Sequence, residues 1–147
     1  MKSLFSQKGV AAVEMALILP LLLILLFGII EFSIVLYDKA MITNASREGA
    51  RTGILYRADP QTGAYDPRDL AEIQAVVDNY LLNYLINFRP GLHTVEVSAV
   101  ATSGQLRTVT VRYPYNFLVF PNLPPLLGGS AGPLKIDLAA TTVMRTE

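Results

Sequence analysis

Few residues in this chain have a type and spacing suited to chemistry, and the most conspicuous is an acid set in an apolar run. Glu14 lies within Lys8–Tyr37, KGVAAVEMALILPLLLILLFGIIEFSIVLY, where residues 15–30 carry no charge. A charged side chain at membrane depth costs roughly 2.5 kcal/mol or more, so the chemistry open to Glu14 is neutralisation by a cation from elsewhere. Pro20 lacks an N–H, which frees the carbonyl of Ala16 and predicts a helix kink about one turn below the proline. Lipid cannot satisfy that carbonyl; a neighbouring helix, a water or a local loosening must.

The other candidates carry less. His93 is the sole histidine and has no partner at a recognisable spacing, so it reads as a surface or edge residue. Asp59 and Asp66 fit turns and caps better than a calcium loop. Cysteine is absent, which excludes a disulfide framework, a thiolate nucleophile and cysteine metal ligands. No phosphate-binding glycine loop, metal-ligand cluster or nucleophile motif occurs. Catalytic residues, a metal and a cofactor are therefore not expected. The chain balances 12 basic against 12 acidic side chains, and no excess charge points to nucleic acid.

The element that must position Glu14 is a long apolar helix. Val10–Tyr37 is long enough to cross a ~30 Å hydrocarbon layer with tilt. Lys2 and Lys8 precede it with no accompanying acid, so the positive-inside rule puts the N-terminus in the cytoplasm and the rest outside. An ordinary secretory signal has a shorter apolar core ending at a small-residue site. Here the run is longer, holds Glu14 and continues into more helix.

These residues resemble a known signal. Lys8-Gly9 before an apolar helix, with an acid at the fifth position after the glycine, is similar to the type III signal of the type IV pilin superfamily, and more closely to TadE-like minor pilins or pseudopilins of tight-adherence (Flp) pilus systems. The similarity runs through Gly9-Val10-Ala11-Ala12-Val13-Glu14, Leu19-Pro20, Gly28-Ile29-Ile30-Glu31-Phe32 and Asn44-Ala45-Ser46-Arg47-Glu48-Gly49-Ala50-Arg51, and returns at Thr141-Thr142-Val143-Met144-Arg145. The first 55 residues carry most of it. The family often has an aromatic residue after the acid, where this chain has Met15.

The resemblance implies a leader, residues 1–9, cut off after Gly9 by a prepilin peptidase, which leaves Val10 with a free α-amino group. It implies that Glu14 pairs with the N-terminal amine of a neighbouring subunit, relieving two buried charges together. Loss of Lys2 and Lys8 would leave 10 basic against 12 acidic side chains. The implied partners are the peptidase, other pilin or pseudopilin subunits and the inner-membrane assembly platform. The implied place is the inner membrane, with a single pass at 10–37 and residues 38–147 as a periplasmic or extracellular domain.

That domain reads as α+β. Asp38–Leu55 continues the helix into water, with Ile42, Ala45, Gly49 and Gly53 on one stripe. Small residues at that spacing let another backbone come close, and packing within the chain is favoured over a subunit contact. Arg47 and Arg51 read as solvated, with Glu48 placed for an i, i+3 pair to Arg51. Arg57–Tyr65 reads as a loop. Asp66 is the expected N-cap of a second helix, with Pro67 at its first position, Leu70, Ile73, Val77, Leu81, Tyr84 and Phe88 on its apolar face, and Pro90-Gly91 as its stop. Alternation predicts strands at His93–Ala101 and Leu106–Tyr113, joined by a turn at 102–105. A third strand is expected at Lys135–Arg145, with Ile136, Leu138, Ala140 and Met144 facing inward. The economical fold is a three-stranded antiparallel meander packed on the two helices.

Pro114–Pro133 is a long, oily connection containing Phe117, Phe120 and Leu123. It reads either as a contact surface for another pilus subunit or as a cover over one edge or face of the sheet. Glu31, near the outer boundary, is expected to reach headgroups rather than to pair. Taken together, the residues point to a processed minor pilin or pseudopilin of a Tad/Flp adhesion pilus. The alternatives are an unprocessed, signal-anchored periplasmic binding or structural domain, and a filament pilin, which would carry much less chain after its helix.

Overall fold

The computed structural model describes residues 4–58, 61, 63, 65–67, 69–86, 93–97, 105–118 and 134–146. Helix α1 runs without interruption from Leu4 to Gly53, through Pro20, so the apolar run and its polar continuation form one rod about 75 Å long. Its apolar part meets the length and composition requirements of a membrane anchor, and the most apolar window is 0% buried by the rest of the chain.

Burial begins at Glu31. From there the face made by Glu31, Val35, Asp38, Ile42, Ala45 and Gly49 is covered by the domain. The predicted stripe of Ile42, Ala45, Gly49 and Gly53 is thus covered from within the chain. Glycine is required at its outer end. A Cβ at Gly49 would lie 2.5 Å from Val77 Cγ2, and one at Gly53 would lie 2.5 Å from Arg107 Cδ. Arg47 and Arg51 are exposed, and Arg51 pairs with Glu48 at 2.6 Å as the spacing suggests. That pair lowers the Glu48 carboxyl and raises the Arg51 guanidinium in pKa.

The two ends of the stretch expected to be a loop are instead paired as strands. β1 (Tyr56–Ala58) pairs antiparallel with β2 (Tyr65–Pro67), matching Tyr56 to Pro67. Gly63 between them has φ +68, a left-handed conformation that glycine adopts at no steric cost. This pairing also corrects the start of the second helix. Asp66 and Pro67 are held extended in β2, and helix α2 spans Leu70–Tyr84 with Asp69 as N-cap. Proline favours an extended residue before it, so Asp66 is better suited to the strand than to a cap.

Along α2, Ile73, Val77 and Leu81 are buried as expected, whereas Leu70 and Tyr84 are exposed. Tyr80 packs at the core's edge and its ring meets Tyr84 at 4.7 Å. The helix ends before Pro90-Gly91, because Leu85 turns extended and the next amide, Ile86 N–H, leaves the helical ladder to donate to Asp38 Oδ1 at 3.0 Å. Phe88 lies outside the described residues, as do residues 98–104 and the predicted turn, apart from Gln105.

β3 (Thr94–Val97), β4 (Leu106–Asn116) and β5 (Lys135–Arg145) form an antiparallel sheet in the order β3-β4-β5, the expected meander. Val109 lies opposite Val97 and Thr142, and Val111 opposite Val95 and Ala140. The inner face of β4 carries Arg107, Val109, Val111, Tyr113 and Tyr115, all buried, with α1 packed against the strand. β4 therefore extends beyond its predicted end at Tyr113. Pro114 fits there because the pairing with β3 ends at Arg112, leaving β4 beyond it with a neighbour on one side only among the described residues. On β5, Leu138 and Ala140 are buried and Met144 packs partly on the core, but Ile136 is 43% exposed. It lies beyond the covered part of the sheet, at the end nearest the apolar half of α1.

Candidate functional site

The residues singled out for processing and assembly lie together on the open half of α1. Gly9, Val10, Glu14 and Pro20 are all exposed. Val10, Val13, Glu14 and Leu17 share one face at three- and four-residue spacing. Among the described residues, no hydrogen bond or ion pair to Glu14 is found. The Gly9–Val10 bond lies within helical backbone, not the extended backbone a protease requires, so cleavage at this bond would need local unwinding. Glycine makes that easier, since it costs a helix about 1 kcal/mol relative to alanine.

Glu31 behaves in the opposite way and corrects the expectation of a headgroup contact. Its residue is 3% exposed. Oε1 accepts from Tyr115 Oη at 2.5 Å and from the Leu118 amide at 2.9 Å. One side chain of α1 thus holds the end of β4 and the first residues of the connection that follows. Phe117 adds to this closure: its ring sits edge-on to Tyr115 at 5.5 Å, and its amide donates to Leu134 O at 3.2 Å. Residues 117 and 118 are thereby held against α1 and the start of β5. Phe120 and Leu123 lie outside the described residues.

Asp38, two turns beyond Glu31 on the same face, is fully buried. Oδ1 accepts the Ile86 amide, whereas the buried Oδ2 has no hydrogen-bond partner. Burial raises its pKa to about 6, partly offset by the Ile86 bond. Burial also raises Tyr113, with a further push from the charge of Asp38, and raises Tyr115 strongly, with the bond to Glu31 as the next cause. Neighbouring contacts extend the seam outward. Lys39 Nζ donates to Ala139 O, and Ser46 Oγ lies 2.7 Å from Thr142 Oγ1.

His93 does have a partner, contrary to expectation. Its Nε2 lies 2.9 Å from Asp78 Oδ1, and the ring is 13% exposed. The contact ties the start of β3 to α2, and spacing could not reveal it because the partner is on another element. Among the described residues, no group of three or more His, Cys, Asp or Glu converges as metal ligands would.

Sequence reasoning missed Glu31, Asp38 and Tyr115, though a signal existed. Extending the Ile42–Ala45–Gly49–Gly53 stripe backward by three and four residues reaches Asp38, Val35 and Glu31. Extending the alternation of β4 by one step reaches Tyr115.

The geometry defines a class of protein: a small α+β domain carried on the C-terminal half of a helix whose N-terminal half is long and apolar enough to cross a membrane. Residues 9–51 match the family model of TadE-like proteins, the family indicated by the sequence resemblance. The match lies wholly within α1; α2 and the sheet fall outside it. No curated protein and no solved structure matches the chain.

Proposed function

We infer that this chain is a minor pilin or pseudopilin of a Tad/Flp pilus, cut by a prepilin peptidase between Gly9 and Val10 and then assembled through Glu14. The match over residues 9–51 supports a pilus-associated, structural role. The observation that carries the finer reading is Glu14, an acid on an apolar helix face with no partner among the described residues. A charge left in lipid is costly, and pairing with a newly freed α-amino group on an adjacent subunit removes two unpaired charges in one contact. The N-terminus lies in the cytoplasm and the domain outside, with Lys8 at the inner face. The partners are the peptidase, neighbouring pilin or pseudopilin subunits and the membrane assembly platform.

N-terminal sequencing of the protein from cells with and without the peptidase tests the cut. Val10 as the first residue only when the peptidase is present supports it; an intact leader in both leaves an anchored, unprocessed domain. Glu14→Gln tests the pairing. It is expected to leave processing and folding unchanged and to abolish incorporation into pili, and normal piliation would overturn the role of Glu14.

A further inference from the structure

The end of the domain nearest the apolar half of α1 carries a surface that the described residues leave open. Gly28, Phe32 and Val35 of α1, Phe117 after β4, and Leu134 and Ile136 at the start of β5 line a groove of about 240 Å³. Phe32 is 63% exposed and Ile136 43%. Gly28 leaves the floor vacant, since a Cβ there would meet nothing within 4 Å. The groove contains one acid, Glu31, whose carboxyl is engaged by Tyr115 and the Leu118 amide. It therefore presents an apolar lining whose one carboxyl is hydrogen-bonded within the chain.

Its height on α1 identifies what covers it. From Val10 the helix rises roughly 32 Å to Glu31 at about 1.5 Å per residue, close to the ~30 Å depth of a bilayer's hydrocarbon. The groove is continuous with the bare apolar surface of α1, and Tyr37, exposed just beyond it, suits the aromatic belt at a membrane surface. We propose that this end of the domain rests in the outer leaflet and that a phospholipid acyl chain occupies the groove. The proposal depends on α1 spanning the bilayer from about Val10, and not on cleavage or assembly.

The chain contains no tryptophan, so single tryptophans report position cleanly. Full-length Ile24→Trp, Ile136→Trp and Val143→Trp variants are placed in phosphatidylcholine vesicles whose acyl chains carry bromine at a shallow or a deep carbon. Ile24 lies in the middle of the apolar run, and Val143 lies about 24 Å along β5 from Ile136, on the strand's outward course. The variant at 24 should be quenched most by deep bromine. The variant at 136 should lose about half its emission to shallow bromine, and that at 143 none. Adding Gly28→Leu to Ile136→Trp should reduce its quenching by filling the floor, and unchanged quenching would overturn occupancy of the groove. Quenching at 24 with none at 136 would overturn lipid contact while leaving the anchor intact. Blue-shifted emission at 136 that resists bromine and follows the protein-to-lipid ratio would assign the groove to a second copy and also overturn it. Absence of quenching at all three positions would remove the span and this proposal together.

Discussion

Two glutamates on one helix have opposite surroundings. Glu14 lies where α1 is bare, with no partner among the described residues, whereas Glu31, 3% exposed, is held by a tyrosine hydroxyl and a backbone amide of its own chain. The same side chain is thus left without a partner among the described residues on the N-terminal half of α1 and is engaged by the fold on the C-terminal half. Helical sequence places an acid at a given height; only what packs beside it decides whether its role is intermolecular or internal.

The sharpest test of this contrast is removal of each acid in turn. Glu31→Ala leaves the Tyr115 hydroxyl and the Leu118 amide without their acceptor, and should cost about 2–4 kcal/mol in urea unfolding of the detergent-solubilised protein. Glu14→Ala should change stability by less than about 0.5 kcal/mol. Equal losses would erase the distinction between the two halves.

Next in size is the pH response of Asp38. Its folded pKa of about 6 lies above the ordinary 3.8, so the folded state binds the extra proton. The stability this group contributes is fully present below about pH 4 and is lost as pH rises through about 6, a change of about 3 kcal/mol. Asp38→Asn should flatten this part of the stability–pH profile, and an unaltered slope would assign it to another group. The Glu48–Arg51 pair is solvent-facing and should add little to that profile.

Glycines extend the comparison. Gly49→Ala drives a Cβ into Val77 and should cost about 1–2 kcal/mol, the overpacking penalty exceeding the gain in helix propensity. Gly28→Ala meets nothing and should be neutral or stabilising by up to about 1 kcal/mol. Tyr115→Phe removes one donor while Glu31 keeps the Leu118 amide; a loss of about 1 kcal/mol is expected by the same unfolding measurement.

Much of the architecture was legible because it is periodic. The uncharged run over 15–30, the stripe from Ile42 to Gly53 and the alternation of Val109, Val111 and Tyr113 reproduce the helix and strand faces seen in the fold. Boundaries set by contact were not legible in the same way. Asp66 and Pro67 have the composition of a helix start, yet strand pairing with Tyr56 and Arg57 takes them. α2 ends where Asp38, far away in sequence, captures the Ile86 amide, not at Pro90-Gly91. His93 lacked a partner at any local spacing because Asp78 reaches it from α2.

By itself the sequence determined that one helix is long and oily enough to enter a membrane, that an acid sits near its start, and that an α+β domain follows. Hydrophobic period and charge placement are local quantities, written along the chain. The tertiary structure alone decided that Glu31 and Asp38 are interior residues, that Tyr115 closes on the first of them, and that the described residues leave the apolar end of the sheet open. Burial and hydrogen bonding depend on which surfaces meet in space, and those surfaces come from segments more than 80 residues apart in the chain, as Glu31 and Tyr115 are.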